Sequence, residues 1–135
     1  MIHALRTILI RTLIIIPVLV MQLPLSSFAY AGDITQRELM QRLDMNEATL
    51  IIDVRKPDEF ATGHVPGARN IPHSEIAARL AELRGHEDEE VVVYCESGRR
   101  ATIAQKILEQ SGFTIVRHLE GDMKSWRKIG LPQVE

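Results

Sequence analysis

Cys95 is the only cysteine among the 135 residues, and it opens the run Cys95-Glu96-Ser97-Gly98-Arg99-Arg100. Sulfur attacks as a thiolate, and a free thiol titrates at about 8.5, so reaction at neutral pH needs positive potential close by. Arg99 and Arg100 can supply charge, and Gly98 permits a turn tight enough to aim backbone N–H groups inward. Val91-Val92-Val93-Tyr94, just before, is a β-branched run of the kind that forms a buried strand. Ala101 to Gln110, just after, has helical spacing. The thiol is therefore expected at a strand-to-helix turn. There it faces the first N–H groups of the helix, which lack intrahelical partners and carry partial positive charge. Such a turn favours thiolate over thiol and holds the oxygens of a charged substrate.

Other polar residues invite a catalytic reading and support it less. Asp53 and Arg55 close the apolar run Leu50-Ile51-Ile52-Asp53-Val54. Buried charges are usually paired, so a structural salt bridge or loop hydrogen bond is expected of them. His64 sits in the turn-rich Gly63-His64-Val65-Pro66-Gly67-Ala68, where a structural role is expected. Trp126 is expected in the core. No His or Cys cluster has metal-ligand spacing and no glycine-rich phosphate fingerprint occurs, so neither metal nor cofactor is expected.

Short apolar strands alternate with amphipathic segments along the chain. Thr35 with Glu38 fits a capping box ahead of the stripe Leu39, Met40 and Leu43. Pro57 and Asp58 start a short helix, Ala68 to Ile71 is a brief strand, and Ser74 caps a helix with the face Ile76, Ala77, Leu80 and Leu83. The helix after Cys95 presents Ile103, Ala104, Ile107 and Leu108, and Gly112 suits the position beyond its end. Thr114 to His118 reads as a last strand and Met123 to Ile129 as a last helix. This order predicts an α/β domain on a mostly parallel sheet flanked by helices. In such folds ligands bind beyond the carboxyl ends of strands, where Cys95 and the Asp53–Arg55 turn both fall.

Residues 1 to 31 have the layout of a cleaved secretory signal peptide: Arg6 and Arg11, an apolar stretch from Leu13 to Leu25, then Ala29-Tyr30-Ala31. The stretch is shorter than the roughly 20 continuous apolar residues of a spanning helix and contains Pro17 and Pro24, so no stable membrane anchor is expected. Loss of this segment leaves 32 to 135 as one domain and takes the formal charge from −2 to −4. That mild, mixed balance points away from nucleic acid. Exported cysteines usually pair within the fold, whereas Cys95 has no partner in the chain. A monomer is the expected state.

Three motifs, in order, resemble those of the single-domain rhodaneses, sulfurtransferases of the exported, periplasmic type. They are Leu50-Ile51-Ile52-Asp53-Val54-Arg55 with Asp58-Glu59-Phe60; Gly63-His64-Val65-Pro66-Gly67-Ala68-Arg69-Asn70-Ile71-Pro72; and Cys95-Glu96-Ser97-Gly98-Arg99-Arg100, which fits the pattern C-x-x-G-x-R. The resemblance implies a rhodanese fold over 32–135 and transfer of sulfur from thiosulfate or a similar donor to cyanide or a thiol through a Cys95 persulfide. It places Glu96, Ser97, Gly98, Arg99 and Arg100 in the substrate-binding loop, with Arg100 the better candidate for loop or anion contact. Arg99 stays open between that role and a solvated surface charge. Asp53, Arg55 and His64 fall in supporting positions. Two departures stand out: Leu119-Glu120-Gly121-Asp122 carries Asp where the family often has a second Gly, and Glu96 sets negative charge directly after the nucleophile, a handicap for an anionic donor.

A cysteine phosphatase or arsenate reductase would need C-x5-R, and from Cys95 that position is Ala101, so the shorter loop suits a single sulfur atom better than a phosphate. A non-enzymatic binding or redox-sensing module of the same fold is the other alternative.

Overall fold

The structure, a computed structural model, describes residues 32–47 and 49–135. The expected signal peptide over 1–31 lies outside the described residues. Among the described residues no helix is long and apolar enough to cross a membrane.

Thr35 caps α1 (Gln36–Asp44) by accepting the Glu38 N–H at 3.1 Å. The Glu38 carboxylate turns instead to Arg42 and Arg117, so its half of the expected capping box is spent on ion pairs. β1 (Leu50–Asp53) leads through a charged loop to α2 (Pro57–Ala61), with Pro57 in the first turn where its missing N–H is harmless. β2 is the two-residue Arg69–Asn70. β3 (Glu90–Tyr94) feeds α3 (Arg99–Gln110), and β4 (Ile115–His118) feeds α4 (Asp122–Lys128).

Two local expectations are corrected. The segment after Ser74 forms a 3-10 helix over Ala77–Leu83, and no side chain caps it. Ile76, Leu80 and Leu83 reach the core from it while Ala77 stays exposed, a spacing of three to four that the tighter turn satisfies. On α3 the packing face is Ala101, Ala104 and Leu108, and Ile103 is 40% exposed.

The sheet order is β2-β1-β3-β4, and every pairing is parallel. It is the expected α/β architecture: a parallel sheet with helices on both faces. Side chains alternate across a strand, so the two faces of β3 go to different cores. Val91, Val93 and Cys95 join Ile52, Val54, Ala104 and Leu108 on the α3 side. Val92 and Tyr94 join Ile34, Leu39, Met123 and Trp126 on the side of α1 and α4. The register sets Asp53 beside Tyr94 and Val93 beside His118. Arg55, Cys95 and the end of β4 therefore emerge along one edge of the sheet.

Candidate active site

Cys95 leaves β3 on the α3 side, 1% exposed. Gly98 takes φ +107°, open to glycine and strained for other residues, and this turns its N–H back onto Cys95 Sγ at 3.0 Å. The loop is braced from outside its own sequence. The Cys95 N–H donates to Asp122 Oδ1 at 2.9 Å, while the Cys95 and Glu96 carbonyls accept the Met123 and Lys124 N–H groups, each at 3.0 Å. The first turn of α4 thus holds the loop at both its donors and its acceptors.

The charges around the loop are ordered by pairing. Arg100 makes a two-point contact with Glu59, at 2.6 and 2.9 Å. Such fork-to-carboxylate geometry fixes the plane of the guanidinium. Glu59 first, and the nearby Cys95 as well, strengthen the hold of Arg100 on its proton. The Arg100 hydrogen bonds in turn pull the Glu59 carboxyl down to about 2. Arg99 and Ser97 face solvent. Glu96 does not stand as an uncompensated charge: its carboxylate pairs with Arg127 and lies 3.8 Å from Arg55. Arg127 thus offsets the Glu96 charge at the loop, while Arg55 is itself paired with Asp53.

A family model, the rhodanese-like domain, matches residues 35–129. This chain belongs to the rhodanese-like family. It is 38% identical over 103 residues to a sulfurtransferase of Allochromatium vinosum, covering 76% of this chain and 94% of that one. It is 44% identical over 101 residues to the HTH-type transcriptional regulator Rv0324 of Mycobacterium tuberculosis, but these residues are 73% of this chain and only 43% of the regulator. Human single-domain sulfurtransferase TSTD1 has a similar structure, with TM-score 0.63 and 29% identity over 71% of this chain and 95% of that one.

In this rhodanese-like domain Asp53 and Arg55 form a buried pair at 2.6 Å, with 0% and 2% of their side chains exposed. Arg55 also donates to the Gly63 carbonyl at 2.8 Å and stands over the Tyr94 ring. Burial and the nearby Asp53 charge push the Tyr94 hydroxyl above its ordinary range, and its oxygen accepts the Val65 N–H at 3.0 Å. His64 stacks on Phe60 with ring centres 3.6 Å apart, and its Nδ1 lies 3.0 Å from the Phe60 carbonyl. The structure therefore places Asp53, Arg55 and His64 in the scaffold below the loop, and Glu96, Gly98 and Arg100 around it.

Sequence reasoning did not single out Glu59 or His118 as parts of the site, and it noted Asp122 only as a departure. His118 Nε2 lies 2.9 Å from Asp122 Oδ1, the same oxygen that accepts the Cys95 N–H. Asp122 itself has φ +52°. An aspartate at a glycine-favouring position was the available signal, because such strain is kept where the side chain gains something.

Proposed function

We propose that this protein is a sulfurtransferase that carries sulfane sulfur on Cys95. One observation bears most of the reading: a buried thiol at the carboxyl edge of a parallel sheet, with the Gly98 N–H 3.0 Å from Sγ and the Arg100 guanidinium nearby. These groups suit a sulfur anion. In the first step the Cys95 thiolate attacks the outer sulfur of thiosulfate, a Cys95–sulfur bond forms, and the sulfur–sulfur bond of the donor breaks to release sulfite. The enzyme then holds a persulfide anion, a covalent intermediate. In the second step cyanide or a thiolate takes the terminal sulfur, and the bonding pair returns to Cys95 as thiolate. Both steps move one sulfur atom and conserve charge, with no proton relay, which fits the placement of His64 in the scaffold. Preorganised N–H donors in such a site are each worth about 3 kcal/mol in rate.

The A. vinosum sulfurtransferase and human TSTD1 support transfer as the reaction class; thiosulfate as donor, and export to the periplasm, are part of the proposal. The test is the intact mass of the purified protein before and after thiosulfate, beside Cys95→Ser. The expected result is a gain of one sulfur atom that cyanide removes and the variant never shows. A chain starting at Gly32 when expressed with its native leader is the expected mark of export. No gain by fully reduced protein from thiosulfate or from an organic persulfide would favour a second reading, a binding or sensing module, to which the regulator among its relatives lends weight.

A further inference from the structure

We propose that His118 and Asp122 form a positioning and charge-balancing pair for Cys95, in which the His118 imidazolium offsets the carboxylate that holds the Cys95 backbone N–H. The inference rests on the reading of Cys95 as the reacting group.

Asp122 is 3% exposed and reaches the loop from the first position of α4. Its Oδ1 accepts the Cys95 N–H and meets His118 Nε2, each at 2.9 Å. Its Oδ2 would lie 3.1 Å from a Cβ placed on Gly98, the residue whose N–H touches Sγ, and His118 Cε1 would lie 3.2 Å from the same point. Carboxylate and imidazole thus both lie against the turn that cradles the sulfur. A lone carboxylate there disfavours a second anion on Cys95, since like charges within about 4–6 Å oppose one another's ionisation. An ionised carboxylate only accepts hydrogen bonds, so the contact places a proton on His118 Nε2.

His118 lies among residues of several elements. The start of α4 contributes Asp122, and the segment before α1 contributes Asp33. β3 contributes Val93, its uncharged register partner, and the start of α3 contributes Gly98. The hydrogen bond to Asp122, then the charges of Asp122 and Asp33, hold the imidazolium above the ordinary histidine value against the opposing push of burial. Asp122 holds the Cys95 backbone N–H, and Arg100 lies close enough to interact with the thiol. With His118 protonated, the His118–Asp122 pair is neutral, as is the Arg100–Glu59 pair, and neither opposes an anion at sulfur. When pH rises through the His118 value, the pair becomes net negative and thiolate formation meets a new opposing charge.

The experiment follows Cys95 alkylation by iodoacetamide as a function of pH in the whole protein, a readout that needs the thiol but not sulfur transfer. Four chains are compared: wild type, His118→Gln, Asp122→Asn and the double variant, with folding checked by circular dichroism. His118→Gln is expected to move the midpoint of the profile up by about one pH unit. Adding Asp122→Asn is expected to return it to the wild-type position, because the charge to be balanced has gone, and His118→Lys is expected to keep the wild-type midpoint. An unmoved midpoint in His118→Gln, or a double variant displaced further than the single, overturns the proposal in favour of a purely structural contact. Should His118→Gln not fold, Asp122→Asn decides the matter. The proposal expects Asp122→Asn to lower the midpoint, because loss of the carboxylate leaves the site more positive at every pH, and an unmoved or raised midpoint overturns it. Failure of the sulfurtransferase reading would appear elsewhere, as a missing mass gain while the variants still shift the alkylation profile as expected.

Discussion

Gly98 shows how much one residue is asked to do at the loop. Its φ of +107° turns the N–H toward Sγ, and the space where a Cβ would stand is crowded by Asp122 and His118. Gly98→Ala is expected to cost about 1–3 kcal/mol of stability through backbone strain and crowding, read as a lower melting temperature, and to abolish the persulfide mass gain. Asp53 makes a different case. Its partner Arg55 is buried, so Asp53→Asn leaves a guanidinium without its carboxylate rather than removing a pair. The expected loss is about 3–5 kcal/mol, measured by urea unfolding, with a full-length folded protein at low urea still able to be alkylated at Cys95. The difference between the two variants separates the loop from its foundation.

At the scale of elements, α2 and α3 are joined across the site by Glu59 and Arg100. The Glu59 carboxyl is pulled from 4.5 to about 2 in the folded protein. A lowered carboxyl stabilises the fold above its unfolded value and loses that contribution as pH falls through the folded one. Stability owed to this pair should thus decline from pH 4.5 to about pH 2. Glu59→Gln is expected to cost about 1 kcal/mol at neutral pH, because the pair is partly exposed, and to flatten the acid limb of the stability curve over that window. Thermal melts at a series of pH values check both. This contact also shows where sequence reading stopped. The strands and α3 were legible because β-branched runs and helical spacing are local signals, and the Cys95 loop because its six residues are contiguous. Glu59 and Arg100 are 41 residues apart, and Cys95 and Asp122 are 27 apart. Nothing local marks such partners until the register of the parallel strands brings their ends together. The 3-10 helix was missed for another reason: over seven residues an apolar spacing of three to four fits both helical forms.

At the scale of the molecule, the sheet is sealed by two separate apolar layers, and Trp126 fills the one that supports α4. It is fully buried, with its indole N–H donating to the Pro132 carbonyl at 2.8 Å. Trp126→Ala is expected to cost about 3–5 kcal/mol in chemical denaturation, and, since α4 carries Asp122, to speed alkylation of Cys95 by reagents larger than iodoacetamide before global unfolding. Arg117 ties the same layer together from β4, bonding to Glu38, Glu90 and the carbonyls of residues 32 and 33. The bracing of the loop by α4 bears on how the protein is made. Both backbone groups of Cys95 wait for residues made later in the chain, Asp122 and Met123, the first of them 27 residues on. During synthesis the backbone of the loop therefore lacks these partners until α4 docks. The order of the chain thus makes the setting of the Cys95 loop a late event in folding.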